Sequence, residues 1–242
     1  QALAERKLNV VYHPSVSFKE RRLISAEALS RWIHPKLGSI SAEEFIEIAE
    51  RNELISKLGN HVLEQVLMDL PGFINKWPTA KIAINVSGLE LSKPDFSDEK
   101  IKKIESASSR FMHHLEWEVT ETRKIIDNEA AKYHLNNFRA KGMTIAMDDF
   151  GTGESSLNRL NQLPFDKIKI DRSFVLNLEK PAYMNILKSM VQLAHSSNRQ
   201  LVVEGIETEE ELQLLAEMGC EIGQGYLFCK PQPLRELIKL QL

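Results

Sequence analysis

Short apolar runs and amphipathic stretches alternate along most of this chain. Lys81–Asn85, Leu115–Val119, Thr144–Asp148, Phe165–Ile170, Gln200–Glu204 and Cys220–Gln224 each have the length of a buried strand. Helical spacing predicts helices over 97–107, 128–141 and 154–162, then from Pro181, from Thr208 and from about 233. Gly142 and Gly219 stand where C-terminal caps belong, and Pro181 suits a first turn. Ahead of this regular part lie two more strands, 9–17 and 22–32. Their short polar link, Phe18–Arg21, predicts an antiparallel hairpin, and Pro14 disfavours a central hydrogen-bonded position. Two helices follow. One opens on the capping-box pattern Ser41-Ala42-Glu43-Glu44; the other, over 53–75, gathers Leu54, Leu58, Val62 and Val66 on one face. Alternating strand–helix units imply a parallel sheet, and eight strands in a chain of 242 residues suggest a closed (β/α)8 barrel with one antiparallel strand. An open doubly wound sheet is the alternative.

Composition narrows the class. With 43% hydrophobic residues, 27% charged and a net charge of -3, the chain reads as a soluble globular α/β domain in the cytoplasm. It has no apolar run near the roughly 20 residues of a membrane span. The start, Gln1–Lys7, is polar and lacks a Met, so residues 1–242 read as a single domain excised from a longer protein, which could itself be membrane-anchored. The mild negative charge argues against a nucleic-acid polymer as partner. Lys100, Lys102 and Lys103, set among Ile101 and Ile104, read as a solvated helix face. Cys220 and Cys229 offer neither a disulfide framework nor a CxxC metal pattern.

Candidate chemistry gathers at the strand ends: Asn85, Glu118, Asp148, Lys169, Glu204 and Gln224 each close a strand, and Glu27 lies inside the second. Taken singly, such residues are ordinary caps, and Glu118 could alternate outward with Glu116, or Lys169 with Lys167. Together they would meet at the mouth of a barrel. Glu27, Glu118, Asp148, Asp149 and Glu204 would repel one another there unless they took up protons or held cations. Carboxylates with an Asn carbonyl suit Mg²⁺ or Mn²⁺. The adjacent Asp148 and Asp149 need a backbone turn to serve one site, which Gly151 and Gly153 permit. One acid could then bridge two metals, a standard device for phosphate-ester hydrolysis. Zinc-ligand spacing, a nucleophile elbow and a P-loop are all missing; His113-His114 reads as surface.

These residues carry a resemblance to the EAL domains, phosphodiesterases specific for cyclic di-GMP. The motifs, in family order, are Glu27-Ala28-Leu29 with Arg31, Asn85-Val86-Ser87, Glu118-Val119-Thr120-Glu121, Asp148-Asp149-Phe150-Gly151-Thr152-Gly153, Lys169-Ile170-Asp171-Arg172, Glu204-Gly205-Ile206-Glu207 and Gln224-Gly225-Tyr226. The resemblance implies a modified TIM barrel and hydrolysis of cyclic di-GMP to linear pGpG with two divalent cations, Mg²⁺ or Mn²⁺. It implies that Glu27, Asn85, Glu118 and Asp148 hold one metal and Asp148, Asp149 and Glu204 the other. Lys169 would position the attacking water or stabilise developing charge. Leu29, Arg31, His13, Asp171 and Gln224 would bind or support the substrate, while Glu121 and Glu207 would brace the Asp-Asp loop. It also implies a homodimer through residues 153–163 and a flanking sensor or diguanylate cyclase domain.

Three positions depart from the family pattern: His13 stands where Gln is usual, Glu154 where an aromatic is usual, and Gly88 where Ala is common. None of them is a metal ligand. The intact ligand set argues against the main competing reading, a non-catalytic cyclic di-GMP receptor or interaction module, for which His13 and Glu154 leave room; a barrel enzyme with enolase-like acid–base chemistry comes after it.

Overall fold

A computed structural model describes residues 8–120, 125, 128–152 and 156–241. Its strands are β1 (Leu8–Ser17), β2 (Leu23–His34), β3 (Gly38–Ile40), β4 (Lys81–Val86), β5 (Leu115–Thr120), β6 (Thr144–Phe150), β7 (Lys167–Ile170), β8 (Gln200–Val203) and β9 (Ile222–Gln224). They form one sheet in the order β1-β9-β8-β7-β6-β5-β4-β2-β3, and a further β1–β2 pairing closes eight of them into a barrel with β3 outside it. β1 is antiparallel to both neighbours, β2 and β9; every other adjacent pair within the barrel is parallel. The expected modified barrel is therefore present, and the hairpin supplies its antiparallel strand. Pro14 falls between the Tyr12–Gln232 bridge and the Ser15–Gln224 pair, where β1 leaves a gap in its pairing on that side.

The helices are α1 (Ala42–Arg51), α2 (Ile55–Lys76), α3 (Phe96–Ala107), α4 (Asn128–Ala140), α5 (Ser156–Gln162), α6 (Arg172–Val175), α7 (Pro181–Ser196), α8 (Glu209–Glu217) and α9 (Leu234–Leu237). They lay their apolar faces on the outside of the barrel; α2, for example, buries Leu58, Val62, Leu63, Val66, Leu70 and Phe73. Trp117 points outward from β5 and stacks on Phe138 of α4 at 4.8 Å, with Phe96 of α3 edge-on to both. Strand alternation then sends its neighbours Glu116 and Glu118 inward together.

Two expectations fail here. Lys100 is not on a solvated face: it is 2% exposed, 3.7 Å from Glu90 and bonded to Asn60 Oδ1 at 2.7 Å. The charge-run reading weighed only the sequence neighbours and not the packing of α3 against α2. Ser41 precedes α1 as expected but makes no side-chain cap bond. Thr208 and Glu211 do form the reciprocal capping box of α8. Thr208→Ala is accordingly expected to cost about 1 kcal/mol, and Ser41→Ala close to nothing, in paired chemical denaturation curves.

Candidate metal centre

Each acid reaches the barrel mouth for a local reason. Glu27 lies on β2 opposite His13 of β1, Asn85 pairs in register with Glu118, and Asp148 with Thr120. Glu204 follows β8 directly, while Lys169 and Gln224 sit at the ends of β7 and β9. The two consecutive aspartates share a site because the β6–β7 pairing is irregular between Met147 and Phe150, and Asp149 itself adopts a left-handed φ of 56°. Aspartate tolerates that conformation better than most residues. The turn thus begins on the acid, two residues before the first of the glycines credited with it. Gly151 continues the turn at φ 95°, where a Cβ would stand 2.4 Å from Met190 Cε and 3.0 Å from Phe174. The Thr152 N–H and hydroxyl both donate to the Asp149 carbonyl, at 3.2 and 2.8 Å.

At the centre lies the Lys169 ammonium, 2% exposed. It is 2.7 Å from Glu204 Oε1, 3.0 Å from Glu118 Oε1 and Asp148 Oδ1, and 3.4 Å from Glu27 Oε2. One cation therefore faces four carboxylates, with Asp149 beside them. Its contacts with Asp148 Oδ1 and Glu204 Oε1 are ion pairs without hydrogen-bond alignment, and Glu118 Oε2 has no partner among the described residues. Buried acceptors left in this state are costly, and an added cation would satisfy them. Glu27 is the best-served acid: it accepts from Asn85 Nδ2 at 2.7 Å and from Gln224 Nε2 at 3.4 Å, and Gln224 also donates to the His13 carbonyl at 3.0 Å.

The oxygens fall into two triads. Ligand atoms of Glu27, Glu118 and Asp148 all lie within 4.8 Å of one another, as do those of Asp148, Asp149 and Glu204, so Asp148 belongs to both. Buried, crowded carboxylates of this kind are a donor set for hard divalent cations. The electrostatics agree. Burial lifts Glu118 well above the usual carboxylate range and also raises Asp148, against the pull of Lys169. Burial, and then neighbouring acids, push Asp149 up to about 7; burial outweighs Lys169 to push Glu204 up to about 8. Burial also opposes ionised Glu27, but Lys169 and the Asn85 amide together hold it below the usual range.

A pH dependence follows from these directions. Protons on Asp149 and Glu204 compete with metal below pH 7–8, so affinity should rise with pH through that window and binding should release protons. Mn²⁺ titration calorimetry at pH 6 and pH 8.5 is expected to show at least about tenfold tighter binding at the higher pH.

The family model described as the EAL domain matches residues 1–231. This chain belongs to the EAL domain family. Among its relatives it is 34% identical over 239 residues to the cyclic di-GMP phosphodiesterase NbdA of Pseudomonas aeruginosa, covering 98% of this chain and 30% of NbdA. It is 34% identical to the phosphodiesterase RocR of the same species, covering 96% of this chain and 59% of RocR. Among solved structures, the PaMucR phosphodiesterase in complex with c-di-GMP superposes with a TM-score of 0.88 at 34% identity, covering 98% of this chain and 96% of that one. The EAL enzyme Bd1971 bound to cAMP and cyclic di-GMP gives 0.90 at 32% identity, over 99% and 66%. This EAL domain thus spans under two thirds of the length of these two curated relatives.

The other candidate residues are distributed as follows. Leu29 and Arg31 line a cavity of about 360 Å³ that also touches Asn85 and Asp149. Arg31 donates to the Ser30 carbonyl at 2.9 Å. His13 is half-buried, its Nε2 has no partner among the described residues, and burial pushes its pKa down to about 4. Asp171 caps α6, accepting from the Ser173 N–H at 3.0 Å, and Glu207 pairs with Arg172 at 2.6 Å. Glu121, Gly153 and Glu154 lie outside the described residues.

One feature near the site was missed by sequence reasoning. Lys167 and Glu116 form a buried ion pair at 2.7 Å inside the barrel, with Thr144 donating to the same glutamate at 2.9 Å. Both charged pairs, Glu116/Glu118 and Lys167/Lys169, face inward, so the outward-alternation reading of Glu118 and Lys169 fails. The signal lay in the parity: if Glu118 and Lys169 point inward, residues two back must as well.

Proposed function

We propose that this EAL domain hydrolyses cyclic di-GMP to linear pGpG at a site holding two divalent cations, Mg²⁺ or Mn²⁺. The observation that carries this reading is the pair of carboxylate triads sharing Asp148. The names of the relatives support the substrate. Glu27, Asn85, Glu118 and Asp148 would hold one cation; Asp148, Asp149 and Glu204 would hold the other. When bound, such a pair supplies an ionised water and stabilises charge on the phosphoryl oxygens.

The chain's own residues do the rest. Lys169, fixed among the acids, can give a hydrogen bond to the attacking oxygen or to a phosphoryl oxygen as negative charge develops. Arg31 presents a planar guanidinium to a substrate phosphate. Leu29 supplies apolar contact for a base, and His13 faces the nucleotide from β1. Asn85 and Gln224 orient Glu27 through the bonds described above. Asp171 and Glu207 act at one remove, by fixing the start of α6 and by pairing with Arg172.

In the whole protein, we take this as one domain beside a sensor or diguanylate cyclase domain, acting in the cytoplasm. We place the contact between two copies at residues 153–163, where Leu157 of α5 is exposed. No helix among the described residues is long and apolar enough to cross a membrane.

Chromatography after incubation with cyclic di-GMP and either metal tests the reading. Appearance of pGpG is expected. Tight binding without turnover in both metals would make the domain a receptor instead.

A further inference from the structure

The cavity beside the metal centre has a second polar end that the chemistry at phosphorus does not use. It begins at Asn85 and Asp149 and extends between α1, α2 and the ends of β2 and β4, with Ile46, Ile55, Leu58 and Val62 among its apolar lining. Glu90, Ser87 and Gly59 also line it.

Glu90 is a carboxylate in an apolar wall, 3% exposed. Its bonding is incomplete. Oε1 has no hydrogen-bond donor among the described residues, and the nearby Lys100 Nζ, at 3.7 Å, donates instead to Asn60 Oδ1 at 2.7 Å. Oε2 receives one long bond, from the Ser87 N–H at 3.5 Å. A carboxylate has about four acceptor sites, so most of this one's capacity is unused. The placement depends on Gly59, where a Cβ would stand 2.8 Å from Oε1 and 3.2 Å from Oε2. Ser87 is itself anchored, its hydroxyl donating to Glu50 at 2.6 Å. Burial raises the Glu90 carboxyl above its usual range, against the pull of Lys100 and the Ser87 N–H.

A nucleotide whose phosphorus lies at the metal centre would extend its base along this cavity, flat faces against the aliphatic walls. Guanine then offers what Glu90 lacks: N1–H and the exocyclic N2–H point the same way on one edge, matching two carboxylate oxygens. Adenine presents a ring acceptor at N1 and would meet the carboxylate with repulsion. We propose that Glu90 is a specificity-determining residue that reads the N1–H and N2–H edge of one guanine of the substrate. The proposal rests on the reading of the site as one for cyclic di-GMP. Lys100, 3.7 Å from Oε1, favours the ionised form that this contact needs, against the burial that opposes it.

Base discrimination is the readout, because a purely structural Glu90–Lys100 pair would not change it. The kcat/KM ratio of cyclic di-GMP to cyclic di-inosine monophosphate, which lacks only the N2 amino groups, should be about tenfold or more in the unaltered domain. In Glu90→Gln, KM for cyclic di-GMP should rise about 10–100-fold and the ratio should fall to within about threefold of unity. The double variant Glu90→Gln with Lys100→Met removes the stranded buried cation and should show the same collapse of the ratio even if the single variant folds poorly. An unchanged ratio in a folded variant that turns over cyclic di-GMP overturns the role of Glu90 and leaves the phosphodiesterase reading intact. An unaltered domain that hydrolyses neither compound overturns the reading of the site, and the inference with it.

Discussion

Replacing Asp148 with Asn is expected to lower cyclic di-GMP turnover at least about 1,000-fold while leaving the barrel folded. Asp148 is the acid common to both oxygen triads, so the change weakens two cation sites at once. It also removes one of the charges that face Lys169. An amide of the same size keeps the packing and relieves repulsion, so thermal stability without metal should hold or rise. Asp149→Asn touches one triad only and should cost clearly less. Steady-state rates and Mn²⁺ titrations on the two variants check this together. Equal losses of activity and of bound metal would mean that Asp148 is not the shared ligand.

Lys169→Met is expected to separate stability from catalysis. Without the ammonium, Glu27, Glu118, Asp148 and Glu204 lose their common partner inside the barrel. Breaking a buried pair in this way costs about 3–5 kcal/mol when the remaining charge cannot be neutralised. Here neutralisation is available, which gives the effect a direction in pH. Acids whose folded-state pKa is raised bind protons more tightly folded than unfolded, so they favour the fold at low pH. That contribution is lost as pH rises from the ordinary carboxylate value toward the folded one, about 8 for Glu204 even with the lysine present. The variant should therefore melt well below the unaltered domain in chelator at pH 8, and the gap should narrow at pH 5 or with Mn²⁺. Turnover should stay at least about 100-fold down even with metal restored, because the donor aimed at the phosphoryl group is gone. Full rescue of activity by Mn²⁺ would reduce Lys169 to a structural counter-ion.

Much of this arrangement was legible in the sequence, for reasons that also mark where legibility stopped. The barrel could be read because its parallel strands are short apolar runs punctuated by helices, and because the link Phe18–Arg21 is too short for a crossover. The mouth could be read because Asn85, Glu118, Asp148, Lys169 and Gln224 repeat one position, the strand's end. Asp149 does lie beside Asp148 and Glu204, but the turn was assigned to the glycines, since a left-handed aspartate has no pattern of its own. Lys100 and Glu90 were out of reach: they are ten residues apart on a loop and a helix, and only the packing of α3 on α2 joins them. β3 is three residues and α6 four, too short for periodicity to register.

Anomalous scattering from crystals soaked in Mn²⁺ tests the two-cation site most directly. The expected result is two peaks about 3.5–4 Å apart. One should be ligated by Glu27, Asn85, Glu118 and Asp148, and the other by Asp148, Asp149 and Glu204. A single peak, or two peaks that share no ligand at Asp148, would contradict it.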